Sequence, residues 1–228
     1  MLWAHFDDSN IHDLATGHVN VTGHGGAIAP YEKWKLLEAR WRVALDDEGI
    51  NTFHMTDFEN LKGEFTEEKG WGDEKRHKAF LLRLLEIIKN NVQTYIGYAM
   101  GAYLGEPFIA AYKDAVSKML MRCSQEMYEY QPGEKLSVVF AKHGELSGRR
   151  ITEYASACAV EMPEIESVTI ATPQSCYSLQ AADLLAYEFV RWRAMPDPSR
   201  ARFPIRYLSA GPQPFRVLQE PGCWIPGL

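Results

Sequence analysis

One stretch near the C-terminal end, Ser178 to Glu188 (SLQAADLLAYE), places a carboxylate inside an otherwise apolar helix. At about 100° per residue, one face of this helix carries Gln180, Asp183 and Tyr187. Aspartate is a poor helix former and is almost never fully buried without a partner. The chain must therefore bring a polar partner to Asp183, and this requirement limits the folds available to it.

The other unusual acidic cluster is Asp7-Asp8, which follows the apolar run Met1 to Phe6. This run alternates as a β-strand does, and the Asp-Asp-Ser-Asn sequence that ends it predicts a turn. If the strand continues instead, Asp7 and Asp8 must face opposite sides, since strand side chains alternate. We favour Asp7 as the residue that meets Asp183.

The order of predicted elements indicates a mixed α/β sheet. His18 to Ala29 predicts a second strand that pairs back as a hairpin, with a bulge or kink at Gly25-Gly26. A helical insertion follows from Pro30, and strands and helices then alternate from Val92 to Ala194. An antiparallel start followed by this alternation predicts helices on both faces of a mixed sheet whose first strand is central.

Length and composition favour one soluble domain. The chain has 228 residues, a net charge of -6 and four cysteines without a CxxC pair. This cysteine pattern is typical of free thiols in a reducing cytoplasm, and no secretory signal or membrane-spanning run is visible. Residues 195–228 are rich in proline and glycine, and we interpret them as a tail that packs on the domain or trails from it.

The pairing of FDDS near the start with LQAADLLAYE near the end resembles domain-of-unknown-function family 3800 of bacteria and phages. The resemblance covers about Met1 to Trp192 and includes a histidine-containing segment, TFHMTDFEN. It implies a ribonuclease-H-like fold and metal-dependent phosphoryl transfer. The residues to which the resemblance points are Asp7, Asp8, His54, Gln180 and Asp183.

Two positions depart from the family pattern. The acidic pair is Asp-Asp where the family usually has Asp-Glu. The predicted strand Leu136 to Ala141 is followed by Lys-His, where many relatives are expected to have an aspartate. His143 or Glu145 then stands in for that ligand, or the site is incomplete.

The candidate site is a carboxylate cluster for Mg²⁺ or Mn²⁺, because Mg²⁺ takes one or two carboxylates with water and substrate phosphate. Asp7 and Asp183 are the expected ligands, with Asp8 as a further candidate. Glu145 or His54 would complete the shell or move protons. Gln180 and Tyr187 are expected to orient Asp183.

Each of these assignments has a structural alternative. Asp7 can cap a turn, Asp183 can accept hydrogen bonds from loop amides, and Asp57 and Glu59 can belong to an Asx turn. The four histidines in the first quarter match no zinc spacing; they are His5, His12, His18 and His24. The aromatic helix Trp34 to Trp41 is either core or a self-association face of a homodimer.

Three functions follow. The first is a metal-dependent nuclease or related phosphoryl-transfer enzyme that acts on nucleic acid. The second is a non-catalytic binding or scaffold module of a mobile-element or defence system. The third is hydrolysis of a small phosphate-containing metabolite, which an acidic protein suits better than a long polyanion.

Overall fold

The computed structural model describes residues 1–12, 19–101, 108–142, 148–194 and 201–219. Within these ranges the strands are β1 (Leu2–His12), β2 (Val19–Pro30), β3 (Thr94–Gly101), β4 (Leu136–Ala141), β5 (Ile165–Ala171) and β6 (Phe215–Gln219). The α-helices are α1 (Tyr31–Glu48), α2 (Met55–Glu59), α3 (Glu74–Asn91), α4 (Phe108–Tyr130), α5 (Gly148–Ala159), α6 (Tyr177–Ala194) and α7 (Phe203–Ser209). Among these helices, none has the length and apolar character needed to cross a membrane.

The strands form one mixed sheet in the order β5-β4-β1-β2-β3-β6. Strand β1 pairs antiparallel with β2 and parallel with β4, so it lies in the interior of the sheet. Strand β2 is antiparallel to β3, whereas β4 and β5 are parallel. Helices α1 to α3 form the insertion after β2. The predicted mixed sheet with an antiparallel start, alternating strands and helices, and a helical insertion after the second strand is confirmed.

Two apolar clusters cover the faces of the sheet. The larger lies on the side of α1, α3 and α6, and it includes Trp34, Trp41 and the rings around Phe58. The other lies on the side of α4 and α5, and it includes Phe6 and Phe140. Because Trp34 and Trp41 are buried, the core interpretation is correct for these two aromatic residues of α1.

The predicted turn after Phe6 is wrong, because β1 continues through Asp7 and Asp8 to His12. The ladder with β2 satisfies the backbone here, pairing Asp7 with Gly25 and Asp8 with His24. Such a ladder offers each peptide group a partner, so the local turn preference of Asp, Ser and Asn is overridden. The one irregularity between these strands lies farther on, between Ile11 and His12.

The predicted bulge at Gly25-Gly26 is also wrong, since both residues keep regular pairing with β1 and β3. The glycines serve close approach instead. A Cβ atom on Gly25 would lie 2.5 Å from the Cα atom of Ala186 in α6. No side chain fits there, so α6 rests directly on the backbone of β2.

Part of the proline-rich C-terminal segment is ordered. Helix α7 begins after Arg202 with Pro204 in its first turn, where proline is well tolerated. Strand β6 then pairs parallel with β3 and extends the sheet. This segment brings Arg202 to the insertion helices, where it makes contacts described below.

Candidate functional site

The site lies where α6 crosses the sheet beside β1. Close packing of α6 on Gly25, and of Phe189 on Gly97, holds this helix against the sheet. Asp7 stands on β1 opposite Gly25, on the face that α6 covers. The missing side chain at Gly25 therefore lets Asp183 on α6 approach the level of Asp7.

A cavity of about 360 Å³ joins these residues to the insertion. Its ionisable lining side chains are Asp7, His54, Asp57, Glu64 and Asp183. None of the described residues that line it is a lysine or an arginine. Four carboxylates and one histidine therefore surround the cavity, and its described lining includes no lysine or arginine side chain.

Asp183 is buried and is tied to the first residue of α2. The Met55 amide donates a hydrogen bond of 2.6 Å to Asp183 Oδ2, and His54 Nε2 lies 3.9 Å from Oδ1. Burial raises the pKa of Asp183 to about 6, although His54 and the Met55 amide act to lower it. The protein thus holds this carboxylate in place without fully compensating its charge.

Asp7 is likewise a carboxylate whose charge is poorly compensated. Its Oδ1 accepts a hydrogen bond of 2.8 Å from the Asp8 amide. Burial raises the pKa of Asp7 well above its usual range, and the nearby negative charges of Asp183 and Asp8 raise it further. Two carboxylates from distant parts of the chain therefore repel each other beside one cavity.

His54 lies between two carboxylates. Its Nδ1 is 3.4 Å from Asp57 Oδ2, and its Nε2 points toward Asp183. About half of the His54 side chain is exposed. The sequence favours an Asx turn for Asp57. Its spacing of three residues from His54 places both side chains on one side of α2, and this spacing is the sequence signal that could have identified Asp57 as a site residue.

Gln180 and Tyr187 were expected to orient Asp183, but their contacts lie elsewhere. Gln180 Oε1 accepts from Trp41 Nε1 and from the Phe53 amide, at 3.1 and 3.0 Å, and its Nε2 donates to the Pro173 carbonyl at 2.9 Å. Gln180 therefore fixes the loops on either side of the cavity. Tyr187 lies under the guanidinium of Arg191, 4.2 Å from its ring centre.

Asp8, another predicted site residue, is not among the described residues that line this cavity. It follows the alternation of β1 to the face covered by α4, where burial, and after it the charge of Asp8, raises the pKa of Tyr112. Its Oδ2 accepts from Asn10 Nδ2 at 3.1 Å. Glu145 and the alternative ligand His143 lie outside the described residues.

The histidines of the first quarter do not converge on one site. His5 is buried on the α1 face, 4.4 Å from the Trp34 ring, and burial lowers its pKa to about 3. His24 lies on the α4 face, 5.0 Å from the Tyr112 ring. His18 and the side chain of His12 lie outside the described part of the chain.

The cavity matches the needs of a hard cation better than those of zinc. Among the described residues, no group of three or more His, Cys, Asp or Glu side chains is arranged to hold a metal ion. Structural zinc takes four protein ligands and catalytic zinc takes three. Mg²⁺ takes one or two carboxylates and keeps several waters, and two poorly compensated carboxylates, Asp7 and Asp183, fit that requirement.

No model of a known protein family and no curated protein matches this sequence. Among solved structures, the chain is similar to Bst-RNase HIII in complex with Mn²⁺, with 13% identity and a TM-score of 0.40, over 81% of this chain and 50% of that one. It is also similar to ribonuclease H2 from Pyrococcus horikoshii OT3, with 11% identity and a TM-score of 0.39, over 82% of this chain and 70% of that one. The chain thus spans half the length of the ribonuclease HIII.

Proposed function

We propose that Asp7 and Asp183 hold a divalent cation, Mg²⁺ or Mn²⁺, and that the protein is a metal-dependent nuclease or related phosphohydrolase. The observation that carries this proposal is a pair of carboxylates that line one cavity, both with pKa values raised by burial and that of Asp7 raised further by the charge of Asp183. A cation would remove that repulsion and restore both groups to the ionised form. Membership of domain-of-unknown-function family 3800 belongs to the same proposal.

The chemistry divides between the cation and the protein. When bound, Mg²⁺ or Mn²⁺ supplies Lewis-acid stabilisation of the charge that develops on a transferring phosphoryl group. The Met55 amide keeps Asp183 oriented toward the cavity. His54 accepts or returns a proton at Nε2, while Asp57, 3.4 Å from Nδ1, orients the imidazole ring.

The substrate class is a phosphate ester, as part of a nucleic acid or as a smaller molecule. The described lining of the cavity is acidic, so a phosphate would be repelled without the cation. Binding of substrate is therefore expected to depend on the cation, and a chelator should abolish both binding and hydrolysis.

Calorimetric titration with Mn²⁺ tests the site. The wild type should bind saturably, whereas Asp7→Asn and Asp183→Asn should weaken binding about 100-fold or more, since each removes one of two protein ligands. Asp8→Asn is the matched control, because Asp8 is the neighbouring carboxylate on the other face of the sheet. Equal binding by all four folded proteins would overturn the proposal.

A screen with single- and double-stranded RNA and DNA in Mn²⁺ then tests the reaction. The same two substitutions should abolish cleavage, and His54→Ala should slow it about 100-fold, the usual contribution of a general acid or base. A non-catalytic binding module is the second candidate, favoured by the absence of a third ligand arranged among the described residues. Saturable Mn²⁺ binding without cleavage of any substrate would favour that candidate.

A further inference from the structure

We propose that Arg202, which lies outside the cavity, is a positioning residue that holds α2 and thereby sets His54 and the Met55 amide against Asp183. This inference goes beyond the proposed function, since it concerns the position of α2 whatever reaction the cavity performs.

Helix α2 cannot fix its own position. It has five residues, and its N-cap residue, His54, makes no side-chain capping hydrogen bond. A single helical turn is not stable in isolation, because nucleation costs more than one turn of hydrogen bonds returns. Tertiary contacts must therefore determine where α2 lies and how it is oriented.

Apolar contacts account for the depth of α2 in the core. The ring of Phe58 is fully buried, stacks on His77 at 3.8 Å and meets the Phe65 ring at 5.2 Å. Hydrophobic burial is non-directional, so these contacts keep α2 against the core without specifying its orientation. Directional contacts are needed to aim the Met55 amide at Asp183.

One directional contact, of 3.1 Å between His77 Nε2 and the Phe58 carbonyl, ties α2 to α3, and two others, one at each end of α2, lead to α6. At the N-terminal end, the Met55 amide donates to Asp183. At the C-terminal end, Glu59 Oε1 accepts from Arg202 Nη2 at 2.5 Å, and Arg202 Nη1 lies 3.6 Å from Glu188 Oε1. Asp183 and Glu188 are about one and a half helical turns apart on α6, so α2 is held alongside α6 by two carboxylates.

Arg202 is a rigid anchor because of Glu188. The Glu188 side chain is fully buried, and neither of its oxygens accepts a hydrogen bond from the described residues. A buried carboxylate without a nearby cation is costly, so the guanidinium that lies close to it is strongly retained. The Tyr187 ring, 5.7 Å below Arg202, further confines it. Glu59 is therefore bound to a fixed point of the fold.

Amide hydrogen exchange of metal-free protein, followed by NMR, tests the inference at one atom. Glu59→Gln removes the charge of Glu59 and so weakens the link from α2 while leaving Arg202 beside Glu188, and Arg202→Met removes the anchor. Both variants should exchange the Met55 amide about 10-fold faster than the wild type, because its bond to Asp183 opens more often.

The control is Glu48→Gln, which breaks the Arg76–Glu48 ion pair in the same insertion. That pair is similarly exposed, with 33% and 26% of its side chains accessible against 28% and 21% for Arg202 and Glu59. Met55 exchange should be unchanged in this control. The inference is overturned if Glu59→Gln leaves the Met55 rate at the control value, or if it accelerates the amides of Leu84 and Leu85 in α3 equally, which would indicate general destabilisation.

Discussion

Helix α6 carries two buried carboxylates that meet a second carboxylate in different ways. Asp183 shares its cavity with Asp7, and no lysine or arginine of the described residues lines that cavity. Glu188 is near Glu59, and Arg202 lies between the two. The same helix therefore contributes Glu188 to a carboxylate pair with an arginine between its members, and Asp183 to a pair that is compensated only in part, by His54 and the Met55 amide.

The difference separates a structural ion pair from a candidate binding site. Breaking a buried ion pair exposes the fold to an unpaired charge, so Arg202 has a structural role that Glu188 makes obligatory. No lysine or arginine is among the described residues that line the cavity of Asp7 and Asp183, and under the proposed function a divalent cation would offset their charge. Four measurements test this difference between the two pairs.

The largest loss of stability is expected from Gly25→Ala, because the Asp7–Asp183 pair and the Glu59–Glu188 pair both depend on the position of α6. A Cβ atom there would lie 2.5 and 2.7 Å from backbone atoms of Ala186, so α6 must shift. We expect the free energy of unfolding to fall by about 4 kcal/mol in denaturant titrations. At Gly133, where φ is +86° and no atom lies within 4 Å of a built Cβ, alanine should cost only about 1 kcal/mol.

The second effect is a dependence of the free energy of unfolding on pH, which arises from Glu188. Burial raises the pKa of Glu188 from 4.5 to about 7, with Arg202 acting in the opposite direction. Because the folded state binds this proton more tightly, its stabilising contribution is present below pH 4.5 and is lost as the pH rises through about 7. The loss is at most about 3 kcal/mol.

Glu188→Gln removes this titration, so its free energy of unfolding in a chelator should vary less than that of the wild type between pH 4.5 and 8. Parallel pH profiles for the two proteins would show that Arg202 compensates Glu188 completely.

At the Asp183 end, we expect one substitution to raise the free energy of unfolding in a chelator but to leave it below that of the wild type in Mn²⁺. In a chelator at pH 8, Asp7→Asn should stabilise the protein by about 1 kcal/mol, because it removes a like charge beside Asp183 and keeps the oxygen that accepts from the Asp8 amide. In Mn²⁺ at 100 times its Kd, the wild type should gain about 2.7 kcal/mol and the variant should gain little. Thermal or denaturant unfolding in both buffers measures this; destabilisation of the variant without metal contradicts it.

The smallest effect is expected from Glu59→Gln, which should destabilise the protein by about 1 kcal/mol. The sign is opposite to that of Asp7→Asn in a chelator because Glu59 has a cationic partner and Asp7 has no such partner among the described cavity residues. Chemical denaturation at pH 8 measures both substitutions under the same conditions. If both substitutions stabilise the protein, or both destabilise it, the two carboxylate pairs do not differ in this way.

The sequence brought Asp7 and Asp183 together by three signals. The two-residue period of β1 and the helical period of α6 each placed a carboxylate beside apolar residues, and the alternation of elements predicted a mixed sheet with β1 in its interior. The family resemblance pointed to the same two residues. The turn predicted after Phe6 failed because the ladder with β2 overrode local preference. The glycines of β2 indicated an unusual backbone, but only the packing of α6 explains them.

The contacts around α2 were not accessible from the sequence. The partner of Asp183 is the Met55 amide, and a backbone donor leaves no residue-specific signal. Arg202 lies in a segment whose prolines suggested a tail. Glu188 did carry a signal, since a carboxylate in a helix buried on all sides requires a cation, but the sequence did not indicate which one.

The central position of β1 has a consequence for how the protein is made. Strands β1 and β2 are adjacent in sequence and can pair early, but about 175 residues separate Asp7 from Asp183, and Arg202 comes later still. Contacts between such distant segments form late, after the slower closure of long loops. During translation, a partly synthesised chain therefore carries Asp7 without its counterpart, and the pairing of Asp7 with Asp183 must wait until α6 has left the ribosome.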